Sequence, residues 1–301
     1  MGLGTSFGVY ASTDVAAGGD GEDTGIAFGG GRGLWAGGYS NTNIIDYVTI
    51  ATPSAATDFG DLTDGRYRLA ACSDGTYGVW AAGQGAPTNI IDYVTIATPE
   101  NAQDFGDLAV GRFGISGCSD GTKGVFGGGS GWPYLDIIDY ITIATPGGST
   151  DFGDLTHGSR YNGACSDGTY GVWAGGQSMI AGNIIDYVTI ATPGNATDFG
   201  DLPHTNYPPA ACSDGTYGLF ANPSGSPHSI DYITIATPGN ATDFGDFTVS
   251  MGDSGACSDG TKGVWGSAWG IDYVTIATPG NATDFGDLTS ARSMIAACSG
   301  D

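Results

Sequence analysis

Positive charge is scarce in this chain. Eight Lys and Arg stand against 32 Asp and Glu, a formal net charge of −24. A nucleic-acid binder needs a basic stripe to neutralise phosphates, and none is present. An anionic membrane surface would repel the chain for the same reason. Glutamate is nearly missing, occurring only at Glu22 and Glu100. Long apolar runs are missing too: nothing approaches the ~20 residues of a spanning helix, and no run has helical periodicity. The opening residues, MGLGTSFGVY, have neither the basic nor the apolar part of a signal peptide. Met1-Gly2 with Ser6 fits only the loose myristoylation pattern.

Motifs of catalysis are equally sparse. There is no Gly-x-Ser-x-Gly elbow and no Walker loop. Zinc sites need clustered Cys and His, and no CxxC or HxxxH spacing occurs. The near-absence of Glu argues against a Tyr–Glu sialidase-like site, and Ser-Asp-Gly-Thr lacks the sialidase Asp-box spacing. His157, His204 and His228 fall in different copies of a repeat, which argues against a paired-His copper site. These gaps favour a non-enzymatic protein without a cofactor.

What the chain does have is repetition. Ile-Asp-Tyr starts at Ile45, Ile91, Ile138, Ile185, Ile230 and Ile271, with spacings of 46, 47, 47, 45 and 41 residues. Asp-Phe-Gly-Asp starts at Asp58, Asp104, Asp151, Asp198, Asp243 and Asp284. Cys-Ser-Asp-Gly-Thr starts at Cys72, Cys118, Cys165, Cys212 and Cys257, and is clipped at Cys298. Six copies at this period mean a repeat architecture. The 55 glycines would suit a disordered tract, but aromatics at 11% argue against one.

Each unit reads as four short strands. Strand a ends at the Cys (Leu69–Cys72), an Asp74-Gly75 hairpin turn follows, and strand b is Gly78–Ala81. Strand c, Asn89–Ile96, is rich in Ile, Val, Tyr and Thr. A Pro-containing turn leads to strand d, Asp104–Leu108. Four antiparallel strands repeated around a closed ring make an all-β propeller. The six cysteines hold one position in six copies, so the repeat keeps them apart. A disulfide needs Cα atoms within about 7 Å, whereas packed sheets sit roughly 10 Å apart. Each Cys therefore reads as a small buried hydrophobe.

Arg66 to Cys72, Ala174-Gly175-Gly176, Tyr187 and Phe199 carry a resemblance to the kelch repeat, spanning about residues 25–298. Three departures stand out. Phe replaces the usual fourth-strand Trp, Gly-Gly decays to Asn222-Pro223, and the acidic Asp-Phe-Gly-Asp box is added. The repeat wording also resembles repeats in proteins of marine phages and environmental bacteria. The division is a segment 1–24, acting as closure strand or assembly arm, and a propeller 25–301. The last strand a, at Arg292–Cys298, lacks its own b, c and d, so it must pair near the N-terminus. Pairing with Gly33–Gly38 gives six blades. Pairing with Ser6–Ala11 gives a reduced seventh, which the hairpin-like match of residues 25–38 favours.

Because strands alternate in direction, b–c and d–a loops share one face and the near-constant a–b and c–d turns share the other. Variation between copies collects on the first face. The candidate ligand-binding residues there are Tyr39, Arg66, Tyr67, Arg68, Arg112, Phe113, Trp132, Tyr134, His157, Arg160, Tyr161, His204, Tyr207, His228, Trp269 and Arg292. This is the palette of paratopes, and the kelch resemblance implies that these loops face the ligand. Neutral drift of unconstrained loops would produce the same variation. The constant aspartates read as turn caps, with Ca²⁺ binding as an alternative. Three functions are consistent with this pattern: a virion or cell-surface module recognising a glycan or surface protein, a structural subunit of a phage particle or filament, and a polysaccharide-active enzyme.

Overall fold

A computed structural model of the chain describes residues 31–85, 87–131, 133–205, 209–222 and 228–300. Six four-stranded antiparallel sheets form the blades of a β-propeller. In blade 2, strand a is Ala70–Ser73, b is Tyr77–Ala81, c is Ile90–Thr95 and d is Gln103–Asp107. The six a strands contact one another in a closed cycle around the axis.

Local chemistry fixes each blade. In the a–b turn, Asp74 Oδ1 accepts from the backbone N–H groups of Thr76 (2.9 Å) and Tyr77 (2.7 Å). Asp120, Asp167, Asp214 and Asp259 cap their turns in the same way. The c–d pairing is bulged between Ile and Asp of the Ile-Asp-Tyr core in every blade. The Tyr of strand c meets the Phe of strand d edge to face, as in Tyr93–Phe105 at 5.7 Å.

Blades are clasped by side chains that reach across each interface. Trp35 Nε1 donates to Gly255 O of blade 6 (2.9 Å), and Trp80, Trp173 and Trp265 repeat the contact. Each Cys is buried, free of disulfides, and lies over a strand-b glycine of the next blade. A Cβ on Gly124 would meet Cys72 Sγ at 2.5 Å. At the rim, the Asp-Phe-Gly glycines hold φ of 140–153°, a region L side chains rarely adopt. A Cβ on Gly153 would lie 2.5 Å from Gly194 O in the next c–d turn.

The ring closes through strand Ala296–Gly300, which pairs with Arg32–Ala36 and sets Cys298 opposite Leu34. This is the six-blade closure. The reduced seventh blade is not what the ends build, because Arg32–Ala36 is strand b of blade 1 and its open edge accepts the last strand. The 1–24 segment, with Ser6–Ala11, lies outside the described residues.

Candidate ligand-binding face

The two kinds of variable loop are bonded to each other. Tyr67 N donates to Gln84 O (3.1 Å) and Gln84 N to Tyr67 O (2.6 Å). Ser130 N donates to Phe113 O and Tyr39 N to Ser293 O. In blade 4 the contact extends to a ribbon, Ser159–Arg160 against Gln177–Ser178. The constant turns meet at the other end, where Ile96 N donates to Thr76 O.

In the five copies where they are described, three consecutive residues before strand a have three different fates. Six positions before the Cys, the side chain turns inward. Arg66, Arg112 and Arg292 are 1%, 1% and 4% exposed. Arg66 Nη1 lies 2.8 Å from Asp92 Oδ2, Arg112 Nη1 2.6 Å from Asp139 Oδ2, and Arg292 Nη1 2.8 Å from Asp46 Oδ2. These aspartates are the middle residue of Ile-Asp-Tyr. Asp92 and Asp46 also accept from Thr63 and Thr289. Placing these three arginines on the ligand-binding face is therefore corrected. A charged Asp inside an apolar strand must be paired, and the arginines are its partners beneath the loops.

The other copies fill that slot differently. Blade 4 has Ser159, and Asp186 bonds Thr156 and lies 3.6 Å from His157 Nδ1. His157 is thus drawn to the slot, and burial pushes its pKa down, Asp186 opposing. Blade 6 has buried Met251, and among the described residues Asp272 accepts only from Thr248 and the backbone N–H of Val249. In blade 5, Asp231 is 2% exposed and its Oδ2 has no hydrogen-bond partner among the described residues. Burial, with Asp243 nearby, raises its pKa to about 6 despite His204.

Five positions before the Cys, the side chain is only partly buried: Tyr67, Phe113 and Arg160 occupy this place. Four positions before, the backbone is left-handed, with φ of 58° at Arg68, 68° at Gly114, 61° at Tyr161, 55° at Asp253 and 62° at Met294. These residues rim the axial channel. Around the rim, Arg68 N donates to Met294 O, Gly114 N to Arg68 O and Tyr161 N to Gly114 O. The shared φ is thus a demand of the repeat.

Loop and rim residues meet in one cluster over blades 1 to 4. Tyr39 and Tyr67 pack edge to face at 5.7 Å. The Arg68 guanidinium lies 6.0 Å from the Tyr67 ring centre and 4.3 Å from that of Tyr161, and Arg68 Nη1 donates to Tyr161 Oη. Arg160 lies 4.8 Å from the Tyr161 ring and 4.7 Å from Tyr134. Phe113 packs on Tyr161 at 6.5 Å. Seven candidate residues thus assemble. Trp269 stands apart in blade 6, 68% exposed, and His204 is exposed in blade 5. His228 is partly buried, and its carbonyl accepts from Phe247 N. Trp132 and Tyr207 lie outside the described residues.

Four contributors were not visible in the sequence. Gln177 Oε1 accepts from Arg160 Nε (3.0 Å) and Nη2 (2.7 Å), and Ser130 Oγ from Nη1. Asp253 and Asn162 share the channel mouth with Arg68 and Tyr161. The offset from the Cys carried the signal for these roles, since it separates buried, partly buried and rim positions.

The channel runs from this mouth through a waist that includes Ala71, Gly117, Ala164, Ala211, Ala256 and Ala297 to a ring of serines. The serine-lined end encloses about 120 Å³. Five of the six serines donate Oγ–H to the previous blade's serine carbonyl at 2.5–2.7 Å. Ser258 Oγ instead accepts from Gly260 N. Among the described residues no three His, Cys, Asp or Glu side chains group to hold a metal. No protein-family model matches the chain, and a search of curated proteins returns no match.

Proposed function

We propose that this kelch-like propeller is a non-enzymatic recognition module of a virion or cell surface, contacting a glycan or surface protein through its b–c and d–a loops. The observation that carries the reading is the cluster of Tyr39, Tyr67, Arg68, Phe113, Tyr134, Arg160 and Tyr161 on one end of a rigid ring. Aromatic and Arg side chains are the usual anchors of recognition sites. Four separate blades contribute, so the ring presets the spacing of the anchors and little ordering entropy is lost on binding. The repeat wording's likeness to phage proteins supports the virion setting. The test is a glycan and surface-protein array probed with the wild-type chain and with Tyr39→Ala, Tyr67→Ala and Tyr134→Ala. Loss of one ligand in these variants supports the reading. Full retention when all three are combined would overturn it.

A further inference from the structure

All eight basic residues lie within the described residues, and six of them bond a carboxylate or a backbone carbonyl. Arg66, Arg112 and Arg292 are paired with buried aspartates. Arg32 donates to Ile96 O, Lys123 to Ala191 O and Lys262 to Ala51 O. Only Arg68 and Arg160 bond neither a carboxylate nor a backbone carbonyl. Both sit on the same ring, at 4.3 and 4.8 Å from the centre of Tyr161. In a chain of net charge −24, the two guanidinium groups that bond only neutral side chains, Tyr161, Gln177 and Ser130, have been brought to one spot. Arg68 Nε is buried and lacks a hydrogen-bond partner among the described residues.

From this geometry we infer that the cluster binds the carboxylate of a terminal acidic sugar. The inference rests on the loop-face reading above and names the ligand chemistry. Guanidinium groups match a planar carboxylate, donating charge-assisted hydrogen bonds in pairs. The exposed parts of Tyr39 and Tyr134 offer flat apolar surface to a sugar ring, and Gln177 and Ser130 supply polar groups beside it. The overall negative field disfavours polyanions at a distance. It tolerates a ligand presenting a single charge to a local positive spot, as the end of an acidic glycan does. Asp253 lines the same mouth as Arg68 and is within its electrostatic reach. Among the described residues that line the mouth, it is the one like charge that an incoming carboxylate meets.

The experiment measures binding of a glucuronate-ended trisaccharide, its neutral glucose-ended analogue and an Asp/Glu-rich peptide. The wild-type chain is compared with Arg160→Gln, Arg160→Lys and Asp253→Asn, each checked to be folded by its melting curve. The expected result is preference for the glucuronate ligand, a loss of about tenfold or more in Arg160→Gln, partial recovery in Arg160→Lys, and tighter binding in Asp253→Asn. Equal binding of the acidic and neutral sugars, abolished by Tyr39→Ala but untouched in Arg160→Gln, overturns the carboxylate assignment and leaves the loop face standing. Binding of the peptide alone overturns it too. Binding of neither sugar nor peptide also rejects it, and the array result then decides the loop face separately.

Discussion

Arg112 Nη1 lies 2.6 Å from Asp139 Oδ2 inside blade 3, with side chains 0% and 3% exposed. The guanidinium also donates to the carbonyls of Gly128 and Phe126. Arg112→Ala should therefore destabilise the fold by about 3–5 kcal/mol, because it strands a buried carboxylate. Arg160→Gln, which gives up exposed and partly buried bonds to Gln177 and Ser130, should cost about 1 kcal/mol or less. Urea denaturation of the two variants measures the contrast.

Asp231 predicts a pH effect of opposite character. Its folded pKa of about 6 lies above the ordinary aspartate value of about 3.9. The native state thus holds the proton more tightly than the unfolded state, and this group's contribution falls as pH rises from about 4 to about 6. Asp231→Asn should gain stability over wild type progressively across that window and keep the gain at pH 7. Asp92→Asn should lose stability at pH 7, since Arg66 loses its partner. Melting temperatures taken across the window settle the sign, and a gain that shrinks with rising pH would refute it.

The cysteines offer a third check. Burial pushes all six thiols well up, and the thiolate is the reactive form. A thiol reagent should modify none in the native protein and all six in denaturant. Gly124→Ala should destabilise by about 1–3 kcal/mol, since overpacking forces Cys72 and its neighbours apart.

Closure makes a fourth. Removing residues 296–300 leaves strand Arg32–Ala36 with an open edge and removes the acceptor of Trp80 Nε1, Ala296 O. Edge strands invite pairing with other chains. The truncated protein should melt lower and elute as oligomers on size exclusion. An unchanged monomer would contradict the closure.

Much of the fold was legible because its signals are local. Asp74-Gly75 specifies a turn, and Ile90–Thr95 specifies a strand, within a few residues each. The fate of Arg66 was not, because its partner Asp92 lies 26 residues on. Two hints were nonetheless present. An aspartate inside Ile-Ile-Asp-Tyr-Val needs a partner if buried, and Arg66, Arg112 and Arg292 share one offset from their cysteines that Arg160 does not. The meeting of Arg68 with Tyr161, 93 residues apart, depends on ring curvature, which no local pattern encodes. Closure likewise turned on which strand edge lay open, and the match at residues 25–38 carries no information about edges.

Strand a of every blade runs from the loop end to the serine end, and Gly300 bridges to Gly75 in an a–b turn. Any polypeptide or solid support joined beyond that point is held behind the ring. Tethering the protein by its tail therefore aims Tyr39, Arg68 and Arg160 outward, toward whatever approaches from solution.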